Sequence, residues 1–315
     1  MDIKALKGRS LLTWLDFQED EIRALLDLAK QIKEESKRGE VKQRLLGKTI
    51  ALLFEKNSTR TRCAFETAIA EEGGHGVYLS MADIHLGKKE TIEDSARVFG
   101  RMFSAIEFRG FKQSTAELLA EYSGIPVFNG LTDDYHPTQA LADIQTLEEN
   151  FADCKGRKIC FIGDGRNNVA RSLMVISAKL GVHFTVISPP GLSPDKFLTD
   201  KCKTLAEISG SKIEITSDLN AVKSADAIYT DVWVSMGEET KKEERRELLK
   251  PYQVNEALMH KTGRKDTIFL HCLPAVRGEE VSAEVIDGAQ SRVWDEAENR
   301  KHTIKAIMLA SIGSL

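Results

Sequence analysis

The sequence lacks any apolar run of about 18 residues, the length that a helix needs to cross the hydrocarbon core of a bilayer. Its first residues, MDIKALKGRSLLTWLDF, also lack the apolar segment of a secretory signal peptide. We therefore predict a chain without a transmembrane helix and expect a cytoplasmic protein with no membrane partner.

Cysteine is scarce, with five residues in 315, and no two of them form a CxxC pair. An odd, scattered set argues against both a disulfide framework and a structural zinc site. We therefore expect a reducing compartment and no bound metal. The five positions are Cys63, Cys154, Cys160, Cys202 and Cys272.

An excess of charge of one sign is also missing, because 44 basic residues face 48 acidic ones and the formal net charge is −4. This interleaved balance argues against a nucleic-acid partner. The most basic cluster, KKEERR at 241–246, is mixed with acids, and we interpret it as a solvated helix.

The turn GDGRNN at 163–168 lacks the third glycine of a dinucleotide fingerprint. No acidic residue closes the next strand, HFTVIS, which is followed by Pro189 and Pro190. We therefore strongly disfavour a nicotinamide-dependent dehydrogenase. Asn167 or Asn168 at this turn can still contact another ligand.

What the sequence does contain is a regular alternation of short apolar segments and amphipathic helices, which is typical of parallel α/β sheets. The length suits about two domains. We predict an α/β fold of two doubly wound parallel-sheet domains, with a boundary near 145–157. The proposed domains are 1–147 and 148–296, and a C-terminal helix at 297–315 is expected to pack back on the first domain.

Within the segment KNSTRTRCAFETA, the five residues STRTR place three hydroxyls and two arginines shortly after the predicted buried strand TIALLF. Hydroxyls and backbone N–H groups at a helix N-terminus form an anion site, and guanidinium groups match phosphate oxygens. The segment therefore indicates a phosphate site, with a simple helix cap and two solvated arginines as the alternative. The residues concerned are Ser58, Thr59, Arg60, Thr61 and Arg62.

Other polar groups also follow predicted strands, where ligands bind in open α/β sheets. Arg109 follows AIEF, and His136 and Gln139 share one face of a helix that begins near Pro137. The two could bind a carbonyl oxygen and an amide together. A surface arginine and a helix-capping histidine are the alternatives.

Two more polar segments occur in the second half of the chain. HCLP ends a strand with Cys272, which is either a buried apolar group or a reactive thiol. DVWVSMG combines Asp231 and Ser235 with backbone amides, a set that suits the ammonium and carboxylate of an amino acid. A plain strand-exit turn is the alternative there.

Taken in order, STRTR, RG after a strand, HPTQ, DVWVSMG, HCLP and AENR resemble the carbamoyltransferases, and among them the ornithine carbamoyltransferase family. The resemblance runs from LKGRSLLTWLDF to AENRKHTIKAIM, nearly the whole chain. STRTR and HPTQ are shared by carbamoyltransferases that use carbamoyl phosphate, whereas DVWVSMG and HCLP are typical of the ornithine type.

The resemblance implies a carbamoyl-phosphate domain and an ornithine domain joined by two interdomain helices, here 136–151 and the C-terminal helix. It also implies a homotrimer, or a multiple of trimers, that makes citrulline from ornithine in arginine metabolism, including arginine biosynthesis. No cofactor is implied. A neighbouring subunit would supply the loop ADIHLGKKE with His85, where many relatives carry glutamine.

Roles for individual residues follow from the resemblance and from matching positions only. Arg60, Arg109, His136 and Cys272 would be catalytic, and Asn168, Asp231, Ser235 and Met236 would bind ornithine. Carbamoyl phosphate would contact Ser58, Thr59, Arg60, Thr61, His85, Arg109, His136, Gln139, Cys272, Leu273 and Arg300.

Two alternatives stay open beside this prediction. A transferase that uses putrescine is disfavoured, since a diamine has no carboxylate for Ser235 and Met236 to meet. A non-catalytic relative that binds without reacting is disfavoured because none of the expected charged site residues is missing.

Overall fold

The structure is a computed structural model, which describes residues 1–82, 84, 86–87, 89–234 and 242–315. The chain divides into two compact units. Unit 1 comprises Met1–Gln145 and Glu298–Leu315, and unit 2 comprises Thr146–Ala297. Within the described ranges, no helix is both long and apolar enough to cross a membrane.

Unit 1 contains a four-stranded parallel sheet in the order β2-β1-β3-β4. Its central strand β1 is buried from Ile50 to Phe54, as expected for a strand covered by helices on both faces. The strands are β1 (Thr49–Phe54), β2 (His75–Ser80), β3 (Ala105–Arg109) and β4 (Val127–Leu131).

The helices of unit 1 follow the strands in the predicted alternation. Thr91 caps one of them, because its hydroxyl accepts a hydrogen bond from the Asp94 N–H at 3.1 Å. The helices are α1 (Glu19–Lys37), α2 (Thr59–Glu71), α3 (Ile92–Met102) and α4 (Gln113–Ser123).

Two helices cross the boundary between the units along the chain. Helix α5 (Pro137–Phe151) begins in unit 1 and ends in unit 2, with Pro137 at its first position. The C-terminal helix, which we number α11 (Val293–Ile312), begins in unit 2 and ends in unit 1. It starts four residues before the predicted position.

Unit 2 contains a five-stranded parallel sheet in the order β7-β6-β5-β8-β9. Its strands are β5 (Lys158–Ile162), β6 (His183–Ile187), β7 (Ile213–Thr216), β8 (Ala227–Thr230) and β9 (Ile268–Leu270). Its helices are α6 (Asn168–Leu180), α7 (Lys196–Ser209), α8 (Lys242–Leu249), α9 (Glu256–Lys261) and α10 (Ala283–Ile286). The predicted α/β fold with two parallel sheets is confirmed.

The interpretation of KKEERR as a solvated helix is wrong for one side chain. Helix α8 forms there, but Arg245 is buried and its guanidinium lies 3.5 Å from the Asp164 carboxylate. The charge is buried because it has this acidic partner, which the local pattern does not reveal.

Candidate functional site

In unit 1 the parallel strands β1, β3 and β4 end at one edge of the sheet, and three polar segments follow them. The first of these segments begins α2. Ser58 caps this helix by accepting a hydrogen bond from the Thr61 N–H at 3.2 Å. The helix N-terminus is therefore ordered, with the partial positive charge that attracts anions.

Thr61 joins two arginines that are remote from each other in sequence. Its hydroxyl oxygen accepts hydrogen bonds from Arg109 Nη1 and Arg300 Nη2, both at 3.2 Å. All three side chains are buried. Because the oxygen already accepts two N–H groups, the hydroxyl proton of Thr61 is left to donate to an oxygen of a ligand.

Gln139 extends this buried cluster along α5. Its Oε1 accepts from Arg300 Nη1 at 2.7 Å, and its Nε2 donates to Asp143 Oδ1 at 2.8 Å. These partners define the orientation of the amide, since arginine only donates and an ionised carboxylate only accepts. The carbonyl side of this amide therefore faces Arg300 and its N–H₂ side faces Asp143.

His136 lies in the turn before α5, which Trp14 anchors by donating its indole N–H to the Pro137 carbonyl at 2.9 Å. Burial, together with the charges of Arg300, Arg109 and Arg60, lowers the pKa of His136 well below its ordinary value of 6.5. The imidazole is therefore neutral at physiological pH. A neutral imidazole can still donate one N–H to a developing negative charge.

The remaining predicted phosphate residues lie around this cluster or outside the described residues. Thr59 is exposed at the first position of α2, and Arg60 is half-buried and close enough to influence His136. His85 lies outside the described residues.

A second group of polar side chains follows the strand ends of unit 2. Asp231 comes directly after β8, and its Oδ2 accepts from Asn167 Nδ2 at 2.8 Å. Its Oδ1 accepts from the Val232 N–H at 2.8 Å and from the Cys272 thiol at 3.2 Å. This edge of the second sheet therefore presents an acid, an amide and a thiol.

Asn167 is the residue whose amide makes this contact with Asp231. It also caps α6 by accepting from the Val169 N–H at 2.7 Å. Asn168 is the half-buried first residue of that helix. Ser235 and Met236 lie outside the described residues.

Cys272 and Leu273 follow β9, so they reach the same edge of the unit 2 sheet as Asp231. Cys272 is half-buried, and Leu273 has a left-handed backbone with φ +59°. The alternative interpretation of Cys272 as a buried apolar group is therefore wrong, because the side chain is half-buried and its thiol donates a hydrogen bond to the Asp231 carboxylate.

Comparison with known proteins places both halves of the chain in one family. Residues 9–149 match the model described as "Aspartate/ornithine carbamoyltransferase, carbamoyl-P binding domain", and residues 155–311 match its "Asp/Orn binding domain". The chain belongs to the aspartate/ornithine carbamoyltransferase family. It is thus an enzyme, a carbamoyltransferase, and the resemblance stated from the motifs is confirmed.

Relatives and solved structures agree with this assignment. A protein named "Ornithine carbamoyltransferase" from Caldanaerobacter subterraneus subsp. tengcongensis is 63% identical, covering 98% of each chain. One from Bacillus licheniformis named "Ornithine carbamoyltransferase, catabolic" is 54% identical, also over 98% of each. The ornithine carbamoyltransferase structure from Pyrococcus furiosus is 46% identical, with a TM-score of 0.95 and 98% coverage of each chain.

Several polar residues of this carbamoyltransferase were not singled out by sequence. The most unusual is Glu107 on β3, which is fully buried and whose two carboxylate oxygens have no hydrogen-bond partner among the described residues. Gly130 makes room for it, since a Cβ at that position would lie 1.9 Å from Glu107 Oε1. Burial raises the pKa of Glu107 well above its usual range, although Arg109 and Arg300 act in the opposite direction.

Two sets of side chains in unit 2 bring possible metal-ligating atoms within 4.8 Å of one another. Asp231, His271 and Cys272 form the first set, but their atoms already hydrogen-bond within the protein. The second set is Glu148, Asp153 and Cys154. The expectation that no metal is bound stays a prediction.

Proposed function

We propose that the chain transfers the carbamoyl group of carbamoyl phosphate to the side-chain amine of L-ornithine, giving L-citrulline and phosphate. The observation that carries this proposal is the buried Thr61 hydroxyl with Arg109 and Arg300 at the N-terminus of a helix. Thr61 and Arg109 lie in the part of the chain that matches a carbamoyl-P binding domain. The names of the relatives support ornithine as the acceptor.

The phosphate group would bind at the start of α2. Ser58, Thr59, Arg60 and Thr61 offer hydroxyls, backbone N–H groups and a guanidinium there. His85 of a neighbouring subunit is the further proposed contact. A dianion suits this place because it adds negative charge beside buried arginines.

The carbamoyl group would extend from the phosphate toward the rest of the cluster. Thr61, Arg109 and His136 would donate to the carbonyl oxygen, and Gln139 Oε1 would accept from the amide. Cys272 and the main chain of Leu273 are the proposed contacts from unit 2. Arg300 completes the set by orienting Thr61 and Gln139.

Ornithine would bind through Asn168, Asp231, Ser235 and Met236. Asp231 suits the α-ammonium group, since its carboxylate already accepts three neutral donors and still carries a negative charge. Asn167 joins this group as the residue that orients Asp231. Cys272 would lie near the reacting side-chain amine.

The reaction needs the neutral amine of ornithine, whose side chain should titrate near lysine at about 10.4. The amine nitrogen attacks the carbonyl carbon, and negative charge develops on the carbonyl oxygen. Arg109 and neutral His136 donate to that oxygen and supply an oxyanion hole worth roughly 3 kcal/mol per donor. The bond to phosphate then breaks, and phosphate leaves with the electron pair into the arginine-rich segment.

Cys272 would orient ornithine without forming a covalent intermediate. Its thiol hydrogen is directed at Asp231, which favours the thiol over the reactive thiolate. Isolation of a carbamoylated Cys272 during turnover would contradict this role. The proposed transfer itself requires neither a metal nor an organic cofactor.

The physiological setting is proposed with the activity. We infer a cytoplasmic enzyme of arginine metabolism, and a homotrimer or a multiple of trimers. Either arginine synthesis or breakdown uses this chemistry, and one relative is named catabolic. Light scattering during size-exclusion chromatography tests the assembly, because a mass that is no multiple of three chains would contradict it.

The activity is tested by supplying carbamoyl phosphate with ornithine, putrescine or aspartate as parallel acceptors and measuring the carbamoylated product. Turnover with ornithine alone would support the proposal. Turnover with putrescine would keep the carbamoyl-phosphate site and overturn the acceptor. Failure with all three would indicate a binding protein.

A further inference from the structure

The imidazole of His271 is fully buried at the end of β9, and both of its nitrogens face hydrogen-bonding partners. Nδ1 lies 2.8 Å from the backbone nitrogen of Leu273, whose N–H it accepts. Nδ1 must therefore be unprotonated, so that the ring proton of the neutral imidazole is on Nε2. Nε2 lies 3.3 Å from Glu280 Oε1, which accepts this proton.

Glu280 closes the other end of the same short segment. It is fully buried, and its Oε1 also accepts the backbone N–H of Val276 at 2.5 Å. One carboxylate oxygen therefore contacts both the residue before Cys272 and a residue four positions after it. The backbone N–H of His271 is held in turn by Glu296 Oε2 at 2.9 Å.

These bonds enclose a segment with an unusual backbone conformation. Leu273 adopts φ +59°, a left-handed conformation that side chains with a Cβ rarely take. The hydrogen bond from its N–H to His271 holds it there. Directly before it, the Cys272 thiol is brought to 3.2 Å from Asp231 Oδ1.

We propose that His271 and Glu280 are positioning residues, which hold the Cys272–Leu273 segment in the conformation that the transfer reaction needs. The proposal rests on the proposed function, in which Cys272 and Leu273 contact the substrates. Neither His271 nor Glu280 need touch a substrate, since both His271 nitrogens and Glu280 Oε1 bind Leu273, Val276 and each other. The second oxygen, Glu280 Oε2, is buried and has no hydrogen-bond partner among the described residues.

Two substitutions of His271 separate its two hydrogen bonds. In His271→Asn the side-chain amide occupies the place of Nδ1 and can accept from Leu273. In His271→Gln the amide lies near the place of Nε2, so that it retains the contact with Glu280 and loses the one with Leu273. Glu280→Gln keeps an acceptor oxygen and serves as the conservative variant, whereas Glu280→Ala removes it.

The first readout is independent of catalysis. The intact protein is alkylated with iodoacetamide, and the modification of Cys272 is measured by peptide mass spectrometry relative to Cys63, which is exposed on α2. A thiol released from Asp231 should react faster. We expect the Cys272/Cys63 ratio to rise about fivefold or more in His271→Gln and Glu280→Ala, and to stay near wild type in His271→Asn and Glu280→Gln.

The second readout is steady-state kinetics with carbamoyl phosphate and ornithine. A displaced segment should lower kcat by about 10- to 100-fold, because small displacements of positioned groups are costly. The KM for carbamoyl phosphate should change little, since its phosphate is proposed to bind in unit 1. His271→Asn and Glu280→Gln should recover most of kcat.

Equal losses in His271→Asn and His271→Gln, or equal losses in the two Glu280 variants, would overturn the proposal. An unchanged labelling ratio in every variant would also overturn it. If His271→Gln does not fold, as judged by circular dichroism, the Glu280 pair carries the same comparison. If the wild type carbamoylates no ornithine, the proposed function fails, while the labelling ratio still reports whether the segment is positioned as described.

Discussion

The two units build polar clusters of opposite character at the same place in their sheets. In unit 1, Arg109 and Arg300 converge on the Thr61 hydroxyl beside a neutral histidine. In unit 2, Asp231 gathers an amide, a backbone N–H and a thiol. Both clusters lie beyond the carboxyl ends of parallel strands. The fold therefore sets the position of each cluster, and the residues of the loops set its charge.

The difference suits two substrates that react with each other. Buried guanidinium groups are stabilised by an anion, whereas an isolated carboxylate is stabilised by a cation. A chain that binds a phosphorylated carbonyl compound and an amino acid with a cationic group needs both kinds of site. Substitutions in the arginine-rich cluster of unit 1 should therefore affect carbamoyl phosphate, and substitution of Asp231 in unit 2 should affect ornithine. The following predictions test that separation.

The largest effect is expected from Arg60→Gln in unit 1. Loss of the guanidinium should reduce kcat/KM by about 10³-fold, roughly 4 kcal/mol of transition-state stabilisation. The melting temperature should change little, because Arg60 is only half-buried. The measurement is steady-state kinetics together with thermal unfolding.

Arg62→Gln is the matched control for Arg60. Arg62 is exposed on the same helix, where it pairs with Glu66 at 3.0 Å and stacks on Tyr78. It should retain most of the activity. Equal losses in the two variants, or a fall in melting temperature that explains the loss in Arg60→Gln, would contradict the assignment.

Asp231→Asn should break the corresponding site in unit 2. Removing the charge while keeping the shape should raise the KM for ornithine by about 100-fold, the value of a charge-assisted hydrogen bond. The KM for carbamoyl phosphate should stay close to that of the wild type. Parallel titrations of the two substrates measure this.

Asp266→Asn provides the control for Asp231. This carboxylate is exposed just before β9 in the same unit and pairs with Arg264 at 2.7 Å. Its loss should alter the KM for ornithine by about threefold at most. The separation between the units would be wrong if Asp231→Asn impaired both substrates equally.

Thr61→Val should have a smaller effect on unit 1. The variant keeps the volume and removes the oxygen that accepts from Arg109 and Arg300. We expect kcat/KM to fall by about 10- to 100-fold, since the arginines lose orientation while keeping their charge. Thr67 is exposed on the same helix, so Thr67→Val should leave kcat/KM unchanged. Steady-state kinetics of both variants provide the test.

Glu107→Gln should stabilise unit 1 in a pH-dependent way. The pKa of Glu107 is raised above its unfolded value, so the unfolded chain releases its proton at lower pH than the folded one. Wild-type stability therefore falls as pH rises above about 4.5 toward the folded pKa, by about 1.4 kcal/mol per pH unit. Glutamine does not titrate and escapes this loss.

The expected result is a melting temperature for Glu107→Gln that exceeds wild type by a few degrees, about 2 °C per kcal/mol, at pH 8. The gain should disappear near pH 4, where Glu107 is protonated in both states. Thermal unfolding across this range checks it. Glu117→Gln on the exposed face of α4 should show no such trend, and a gain that does not depend on pH would refute burial of a titrating carboxyl as its cause.

The smallest effect concerns His136, whose pKa is lowered well below 6.5. The imidazole stays neutral from pH 6 to pH 8, so its titration should leave the dissociation constant of carbamoyl phosphate unchanged across that range. Binding measured by calorimetry tests this. An inflection near pH 6.5 that is absent in His136→Gln would show that the imidazole titrates there after all.

Local pattern was enough for the elements with strong periodicity or clear caps. Pro137 marks the start of α5 as predicted, and Thr91 caps α3 through a hydrogen bond within its own first turn. By contrast, no element was predicted over α4 and β4. Strand β4 is short and contains Asn129 and Gly130, residues that are poor strand formers. The Asn129 Nδ2 donates to Leu12 and Gln113 from other parts of unit 1, and such partners are not visible in the local sequence.

The residues of the candidate site likewise divide into those that the local sequence revealed and those that it did not. STRTR and HPTQ point to their chemistry because hydroxyls, guanidiniums and a helix start are adjacent in sequence. The burial of Glu107 could not be predicted, because a single glutamate in an apolar strand is usually interpreted as a surface residue. It is buried only because both faces of the sheet are covered. In GDGRNN, the choice between Asn167 and Asn168 depends on which one caps α6, and caps are uncertain by one residue from sequence.

By itself, the sequence determined the parallel α/β class, the family, and the types of groups offered for an anion and for an amino acid, because these depend on local periodicity and on residue identity. Only the tertiary structure decided that Arg300 reaches Thr61 across 239 residues, that Asp231 orients the Cys272 thiol, and that His271 holds the turn beside it. The physical reason is that the first two hydrogen bonds join residues remote in sequence, which meet only when the helices and strands pack together, and that the third depends on a backbone conformation set by its buried surroundings.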